Sequence, residues 1–503
     1  MRLRLSALLV VVVMLVMGLV LPAAAQTTPT VTDEAIGELT RLIETSITEY
    51  DIPGMAAAVI ANGNIVFAQG FGLRDVENEL PFTEKTRFRI GSTTKSMTSL
   101  LIAQLVAEGY LAWDTPVTEL FPTFATSASG LAEQITLRDL MGMATGLESS
   151  ALDGFDWGQW TVDDLLEAIA NQRSAGAFGE HYSYNNEVYA LAGYAAAAGL
   201  GEVPSLETYR TLVQQRIFDP IGMTSAIITD NHADLGDNFA LPYETSLEPG
   251  SNIVRMDDPP IGIVAPAGGV WTTVEDMARY LMTQMNGGIA PDGTRIVDEA
   301  ALLETWQPGV TIPDAGTSAG EVAYGMGWVT LTYNGIPIRY HDGGWSGYAT
   351  QMVTFPEANI GLVLFANSST AQLLNQSIAF GFAESLYEKP LEAFAAAQAQ
   401  ITELGTQIEQ ARAILNTPFD PEAAATLLGE YEEGWRVSAG EDALVLARGA
   451  WSFRMLPLPY PGMYLVVNNG GAGVQVQFTE SEVSITMAVQ LPTEAITVNK
   501  VNS

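Results

Sequence analysis

Two apolar runs, 55–60 and 65–68, flank Asn62-Gly63, a dipeptide suited to the positive φ angles of a two-residue hairpin turn. A second pair, 350–355 and 360–365, flanks Pro356-Glu357-Ala358-Asn359 and predicts another hairpin. Between the two the apolar period lengthens to that of helices. Residues 162–171 and 274–285 read as helical. Met97, Leu100, Leu101, Leu105 and Val106 form a helical stripe that Ile102 and Ala103 widen, with Gly109 as its stop. Hairpins at either end of a helical middle predict an α+β domain over 33–390: one antiparallel sheet flanked by helices, with a helical insertion.

The pattern changes near Leu391. Residues 391–418 are rich in Ala, Gln and Glu, and their first two dozen positions predict a connecting helix. From 419 to 503 the character is that of strands. Short runs at 443–447, 452–456, 463–467, 474–478 and 483–489 are separated by Gly, Pro and Asn. The last two alternate (Val474, Val476, Phe478; Val483, Ile485, Met487, Val489), which predicts a small barrel-like all-β domain with one face inward. Asn469-Gly470-Gly471-Ala472-Gly473 is a turn, too loose for a phosphate loop.

The first residues behave differently again. Met1-Arg2-Leu3-Arg4, an apolar run over 5–21 and Pro22-Ala23-Ala24-Ala25-Gln26 predict a signal peptide over 1–25 and therefore export. The length of the run leaves an uncleaved anchor open; no second stretch is long and apolar enough to span a bilayer.

Charge and composition narrow the chemistry. A net charge of −36, from 22 basic and 58 acidic residues, argues against a nucleic-acid partner and mildly against anionic substrates. The acidic residues are dispersed, as on a solvated surface. With no cysteine there is no disulfide, thiol nucleophile or zinc–thiolate site. The three histidines, His181, His232 and His341, lack metal-ligand spacing, so neither metal nor cofactor is expected. A hydrophobic content of 48% supplies a core without covalent staples.

Ser92-Thr93-Thr94-Lys95 sets a hydroxyl three residues before one of only four lysines. On a helix these positions share a face, and a lysine whose pKa is lowered by burial can take the serine proton. A helix start would also offer free N–H groups to developing negative charge. Ser-x-x-Lys alone equally describes a helix cap. Two further clusters change the weighting. Tyr182-Ser183-Tyr184-Asn185-Asn186 can offer a phenol for proton relay and an amide to hold a carbonyl and the lysine. Tyr340-His341-Asp342-Gly343-Gly344 ends a strand in glycines, where backbone N–H groups can polarise a carbonyl.

In this order, Ser92-x-x-Lys95, Tyr184-x-Asn186 and His341-x-Gly343 resemble the three motifs of penicillin-recognising serine hydrolases: class C β-lactamases, DD-peptidases and their esterase and D-aminopeptidase relatives. Phe88-Arg89-Ile90-Gly91, Ile135 to Leu140 and Pro266-Ala267-Gly268-Gly269 resemble supporting segments of the same family, and the likeness covers roughly residues 36 to 385. The tail resembles the lipocalin-like domain attached to some members. The resemblance implies that Ser92 is acylated, that Lys95 and Tyr184 share proton transfer, and that Asn186 and His341 hold substrate. It implies an oxyanion hole from the N–H groups of Ser92 and Gly344, beside Gly343.

Two positions depart from the family pattern. His341-Asp342-Gly343 stands where β-lactamases place Lys-Thr-Gly, and Met143-Ala144-Thr145-Gly146 where relatives show a His-Thr-Ser-Gly-like segment. Losing the lysine and gaining a carboxylate disfavours anionic β-lactams or peptide C-termini. The expected activity is therefore a serine hydrolase acting through an acyl-enzyme on small ester, amide or peptide substrates, with esters favoured. The alternatives are a D-amino-acid-specific peptidase, a DD-carboxypeptidase, a weak β-lactamase or an inactive homologue. An α/β-hydrolase is the nearest rival, but Ser92 sits in Ile90-Gly91-Ser92-Thr93-Thr94, which lacks the second glycine of a Gly-x-Ser-x-Gly elbow.

Overall fold

The computed structural model describes residues 29–149, 153–248, 252–313, 321–415, 417–468, 474–481, 485–490 and 495–501. The expected signal peptide (1–25), the expected turn (469–473) and Val483 lie outside the described residues.

Helix α1 (Asp33–Glu49) leads into strands β1 (Gly54–Ala61) and β2 (Asn64–Asp75). Asn62 and Gly63 take φ of 50° and 72°, the turn that their sequence demands. After β3 (Leu80–Pro81) the chain leaves the sheet for the helical insertion. That insertion carries α2 (Thr94–Ala107), α3 (Asn186–Gly199) and α4 (Val274–Met285). The chain returns through β4 (Val310–Thr311), β5 (Ala323–Tyr324), β6 (Val329–Tyr333), β7 (Ile336–Trp345), β8 (Tyr348–Phe355) and β9 (Ile360–Ala366). The nine strands are ordered 4-5-6-7-8-9-1-2-3, every described pairing antiparallel. The two predicted hairpins thus meet at the centre, with Met55 opposite Ala366 and Ala61 opposite Ile360.

Every residue of β1, β8 and β9 is buried, so helices cover both sheet faces. Those faces read as continuous apolar runs for that reason. Helix α2 is buried on all sides from Thr94 to Leu105. It is a core helix rather than a surface helix with one apolar stripe.

Helix α5 (Ala371–Leu386) packs on β8 and is followed by α6 (Ala393–Ile414), the connecting helix. Buried Glu384 accepts from the N–H groups of Glu392 and Ala393 and from Tyr333 Oη, which fixes the start of α6. Near its other end, Arg412 donates to the Ser246 carbonyl. Eight strands follow as an up-and-down meander: β10 (Gly429–Glu430), β11 (Arg436–Ala439), β12 (Leu444–Arg448), β13 (Trp451–Pro457), β14 (Met463–Val466), β15 (Gln475–Glu480), β16 (Ile485–Gln490) and β17 (Ala495–Asn499). Its ends approach each other through the Tyr431–Lys500 bridge and a 2.8 Å bond from Val501 N–H to Glu430 O. Three of these strands, β10, β11 and β17, did not stand out in the sequence. The first two are short.

Candidate active site

The strand Phe88–Arg89 pairs with Val270–Thr272 and delivers the chain into a 3₁₀ turn, Gly91–Thr93, which continues as α2. The helix therefore begins at Thr94, two residues after the expected start. The tighter turn still brings residues three apart together. Gly91 has φ of 51°, and a Cβ there would sit 2.6 Å from Gly344 N. Only glycine allows this approach of the two strands.

Lys95 is fully buried. Its Nζ lies 3.1 Å from Ser92 Oγ, 2.8 Å from Asn186 Oδ1 and 3.0 Å from the Ala267 carbonyl. Among the described residues no carboxylate forms an ion pair with it. Burial therefore lowers the ammonium pKa to about 7, although the charges of Asp342 and Glu187 oppose the shift. Tyr184 donates from its hydroxyl to Ser92 Oγ at 2.7 Å, and its ring lies 4.6 Å from Lys95 Nζ. Although 40% of its surface is exposed, its hydroxyl points inward, and desolvation raises the phenol pKa well above its usual value. Tyr189 holds the helix start by donating to the Lys95 carbonyl at 2.9 Å.

Asn185 caps α3 by accepting from Val188 N–H, which turns Asn186 toward Lys95. Below this loop lies the Met143 segment, where the family pattern is broken. Ser183 N–H donates to the Met143 carbonyl and Asn185 N–H to its sulfur, at 3.0 and 3.3 Å. The departure thus supports the loop that carries Tyr184.

On β7, His341 is buried, with Nε2 2.9 Å from Tyr324 Oη and Nδ1 2.5 Å from the Asp342 carbonyl. Burial, helped by the Lys95 charge, lowers its pKa to about 4, so the ring is neutral near pH 7. Asp342 projects to the other side of the strand and accepts from Gln372 of α5 at 2.6 Å. A Cβ on Gly343 would lie 2.1 Å from the Ile90 carbonyl and 3.0 Å from Ser92 N, so the strand edge presses directly on the Ser92 turn. The β7–β8 turn, Ser346-Gly347, has φ of 30° and 83°. With Trp345 paired to Tyr348 across it, Gly344 and Ala349 form the non-hydrogen-bonded pair. The Gly344 N–H therefore points away from β8, on the side where Gly91 packs.

Ser92, Lys95, Tyr184 and Asn186 are thus in direct contact. His341 stands one ring away, 6.4 Å from Tyr184 between centroids, and Gly343 and Gly344 line the opposite edge. Several members carried no sequence signal of their own: Tyr189, Tyr324 and Asp258; Ala267 lies in a segment that resembles the family, but its carbonyl had no expected role. Asp258 is nearly buried and joins three groups, with Oδ2 at 3.4 Å from Arg89 and 2.8 Å from His232 Nε2, and Oδ1 accepting from Trp345 Nε1 at 3.0 Å. The open groove lined by Thr32, Glu38, Tyr387 and Lys389 lies behind the helix layer and includes none of these residues.

Known proteins share this fold and family. A family model described as Beta-lactamase matches residues 39–378. The unguisins hydrolase of Aspergillus violaceofuscus is 27% identical over 359 residues, 66% of this chain and 61% of that protein. Penicillin-binding protein 4 of Amycolatopsis lactamdurans is 25% identical over 64% of this chain and 83% of its own length. The octameric penicillin-binding protein homologue of Pyrococcus abyssi shares the fold, with a TM-score of 0.63 at 22% identity over 92% of this chain and 100% of that one. With most of its length matched by the family model, the chain belongs to the beta-lactamase family of hydrolases and penicillin-binding proteins.

Proposed function

We propose that the protein is a serine hydrolase that works through an acyl-enzyme on uncharged acyl substrates, esters above all. The observation that carries this reading is the double contact on Ser92 Oγ, an amine at 3.1 Å and a phenol at 2.7 Å. A neutral amine has two hydrogens and one lone pair. Asn186 Oδ1 and the Ala267 carbonyl accept the two hydrogens, which leaves the lone pair facing the Ser92 hydroxyl. Because the Lys95 pKa is about 7, that neutral form is well populated at neutral pH. Lys95 is then the base, while Tyr184, held as a phenol, is the proton donor.

In the first step Ser92 Oγ bonds to the acyl carbon and its proton passes to Lys95. The oxyanion is held by the N–H groups of Ser92 and Gly344, and Tyr184 protonates the leaving oxygen and recovers a proton from Lys95. A water then attacks the ester of Ser92 by the same route in reverse. Oxyanion donors of this kind contribute roughly 3–4 kcal/mol to the barrier. The neutral His341, where β-lactamases place a lysine, offers an anionic substrate no cation, which favours uncharged acyl groups over β-lactams; Asp342, turned to the other side of the strand, adds nothing to this.

Fluorophosphonate labelling and nitrophenyl-ester hydrolysis of the wild type and Ser92→Ala test this. Ser92-dependent labelling and turnover, with little nitrocefin hydrolysis, is the expected result. Turnover that survives Ser92→Ala overturns the site, and efficient nitrocefin hydrolysis overturns the substrate class.

A further inference from the structure

Three indoles stand beside the site without being needed for proton transfer. Trp157 and Trp345 stack with centroids 6.3 Å apart at 24°, and Trp451 of the C-terminal meander meets Trp345 at 6.0 Å and 64°. The row is anchored to the site at two points. Trp345 directly follows Gly344, and Trp157 Nε1 donates to Glu187, the residue after Asn186, at 3.0 Å. It therefore borders the Ser92 cleft from the Asn186 side to the Gly344 edge.

Its polar handles are already used. The Trp157 N–H is held by Glu187 and the Trp345 N–H by Asp258, so both rings are fixed in orientation and turn apolar surface outward. All three are only half-buried, whereas Trp271, Trp328 and Trp435 are fully enclosed. Half-uncovered indoles beside exposed Gly344 leave apolar area in water that a ligand could cover.

The third ring is held by the meander. Phe155 of the hydrolase domain packs edge-on against Trp435, Trp451 and Phe453, and Arg448 pairs with Asp156 at 3.1 Å. Trp451 also stacks on Phe453 at 11°. This docking places a ring of the second domain at the edge of the first domain's site.

We propose that Trp157, Trp345 and Trp451 form a subsite for the apolar part of an uncharged substrate, an aromatic ring or an aliphatic chain, and that the C-terminal domain completes it through Trp451. The proposal rests on the reading of Ser92 as nucleophile. The subsite adds binding energy to large acyl groups and none to acetyl.

The test uses the full chain with 4-nitrophenyl phenylacetate and 4-nitrophenyl acetate, on wild type, Trp451→Ala and Trp451→Leu. Leucine keeps apolar contact with Phe453, so it covers the case in which alanine loosens the fold. The wild type should favour phenylacetate by about tenfold in kcat/KM, mainly through KM. Both variants should lose that preference while acetate turnover stays within about twofold of wild type. Binding of phenylacetamide and acetamide to Ser92→Ala, with and without Trp451→Leu, gives the same comparison by calorimetry without any turnover. A preference that survives both Trp451 variants, that is absent from wild type, or that disappears because both esters fall equally, overturns the subsite. Ester turnover that persists in Ser92→Ala overturns the nucleophile instead, and the amide binding still decides the row.

Discussion

Lys95 illustrates how one side chain acquires its chemistry from its surroundings. An exposed lysine is an ammonium at any physiological pH; this one, buried among uncharged acceptors, releases its proton near pH 7. The sign of the pH dependence follows. Below pH 7 the amine is protonated and cannot take the Ser92 proton, and above it the lone pair is free. The rate kcat/KM for a neutral ester should therefore rise through a pKa of about 7 and level off above it. His341, already neutral above about pH 4, should add no step in that window. A pH profile between 5 and 9 checks this, and a flat one removes Lys95 from the role of base. The sequence identified Ser92, Lys95, Tyr184 and Asn186 because motifs confine them to two short segments. It marked the segment of Ala267 only by resemblance and gave no role to its carbonyl, which reaches Lys95 from 172 residues away and has no side chain to mark it.

At the scale of elements, the site is a meeting of strand ends with a helix start. Arg89 leads to the Ser92 turn and Trp345 trails the Gly344 edge, and both are bonded to the one carboxylate of Asp258. On the proposed function, Asp258 is a positioning residue that keeps the two oxyanion donors in register. Asp258→Asn keeps an acceptor for Trp345 but leaves the buried Arg89 with Asp230 alone, at 3.5 Å. Breaking a buried pair of this kind costs about 3–5 kcal/mol, so thermal unfolding should move down clearly. Donors displaced by a fraction of an ångström act only on the transition state, and kcat should fall about 10–100-fold with KM little changed. A loss expressed in KM alone would assign Asp258 to substrate binding instead. Both hairpins were legible because turn residues and apolar runs are adjacent in the chain. The order of the sheet was not, since β9 pairs with β1 across three hundred residues and any apolar strand satisfies that pattern locally.

For the whole molecule the dominant long-range term is charge. At −36 the folded chain repels itself, and salt screens exposed charges over about 10 Å at 0.1 M. Raising NaCl from 10 to 300 mM should therefore raise the thermal midpoint, measured by differential scanning calorimetry; an unchanged or falling midpoint would mean that surface ion pairs outweigh the repulsion. Among the described residues three apolar clusters share the molecule, and Phe155 and Leu247 of the hydrolase domain pack into the two built mainly by the C-terminal strands. The apolar and charged residues of that interface, Asp156 and Arg448 among them, are ordinary positions in the sequence, and nothing in their spacing marks them as partners. By itself the sequence determined what depends on neighbours in the chain: the hairpin turns, the helix that carries Lys95 just after Ser92, the acidic surface and the absence of thiol chemistry. The tertiary structure alone decided the protonation states of Lys95, Tyr184 and His341, and the placing of Trp451 beside Trp345. Desolvation and contact belong to everything that encloses a group, and most of what encloses these groups lies far from them along the chain.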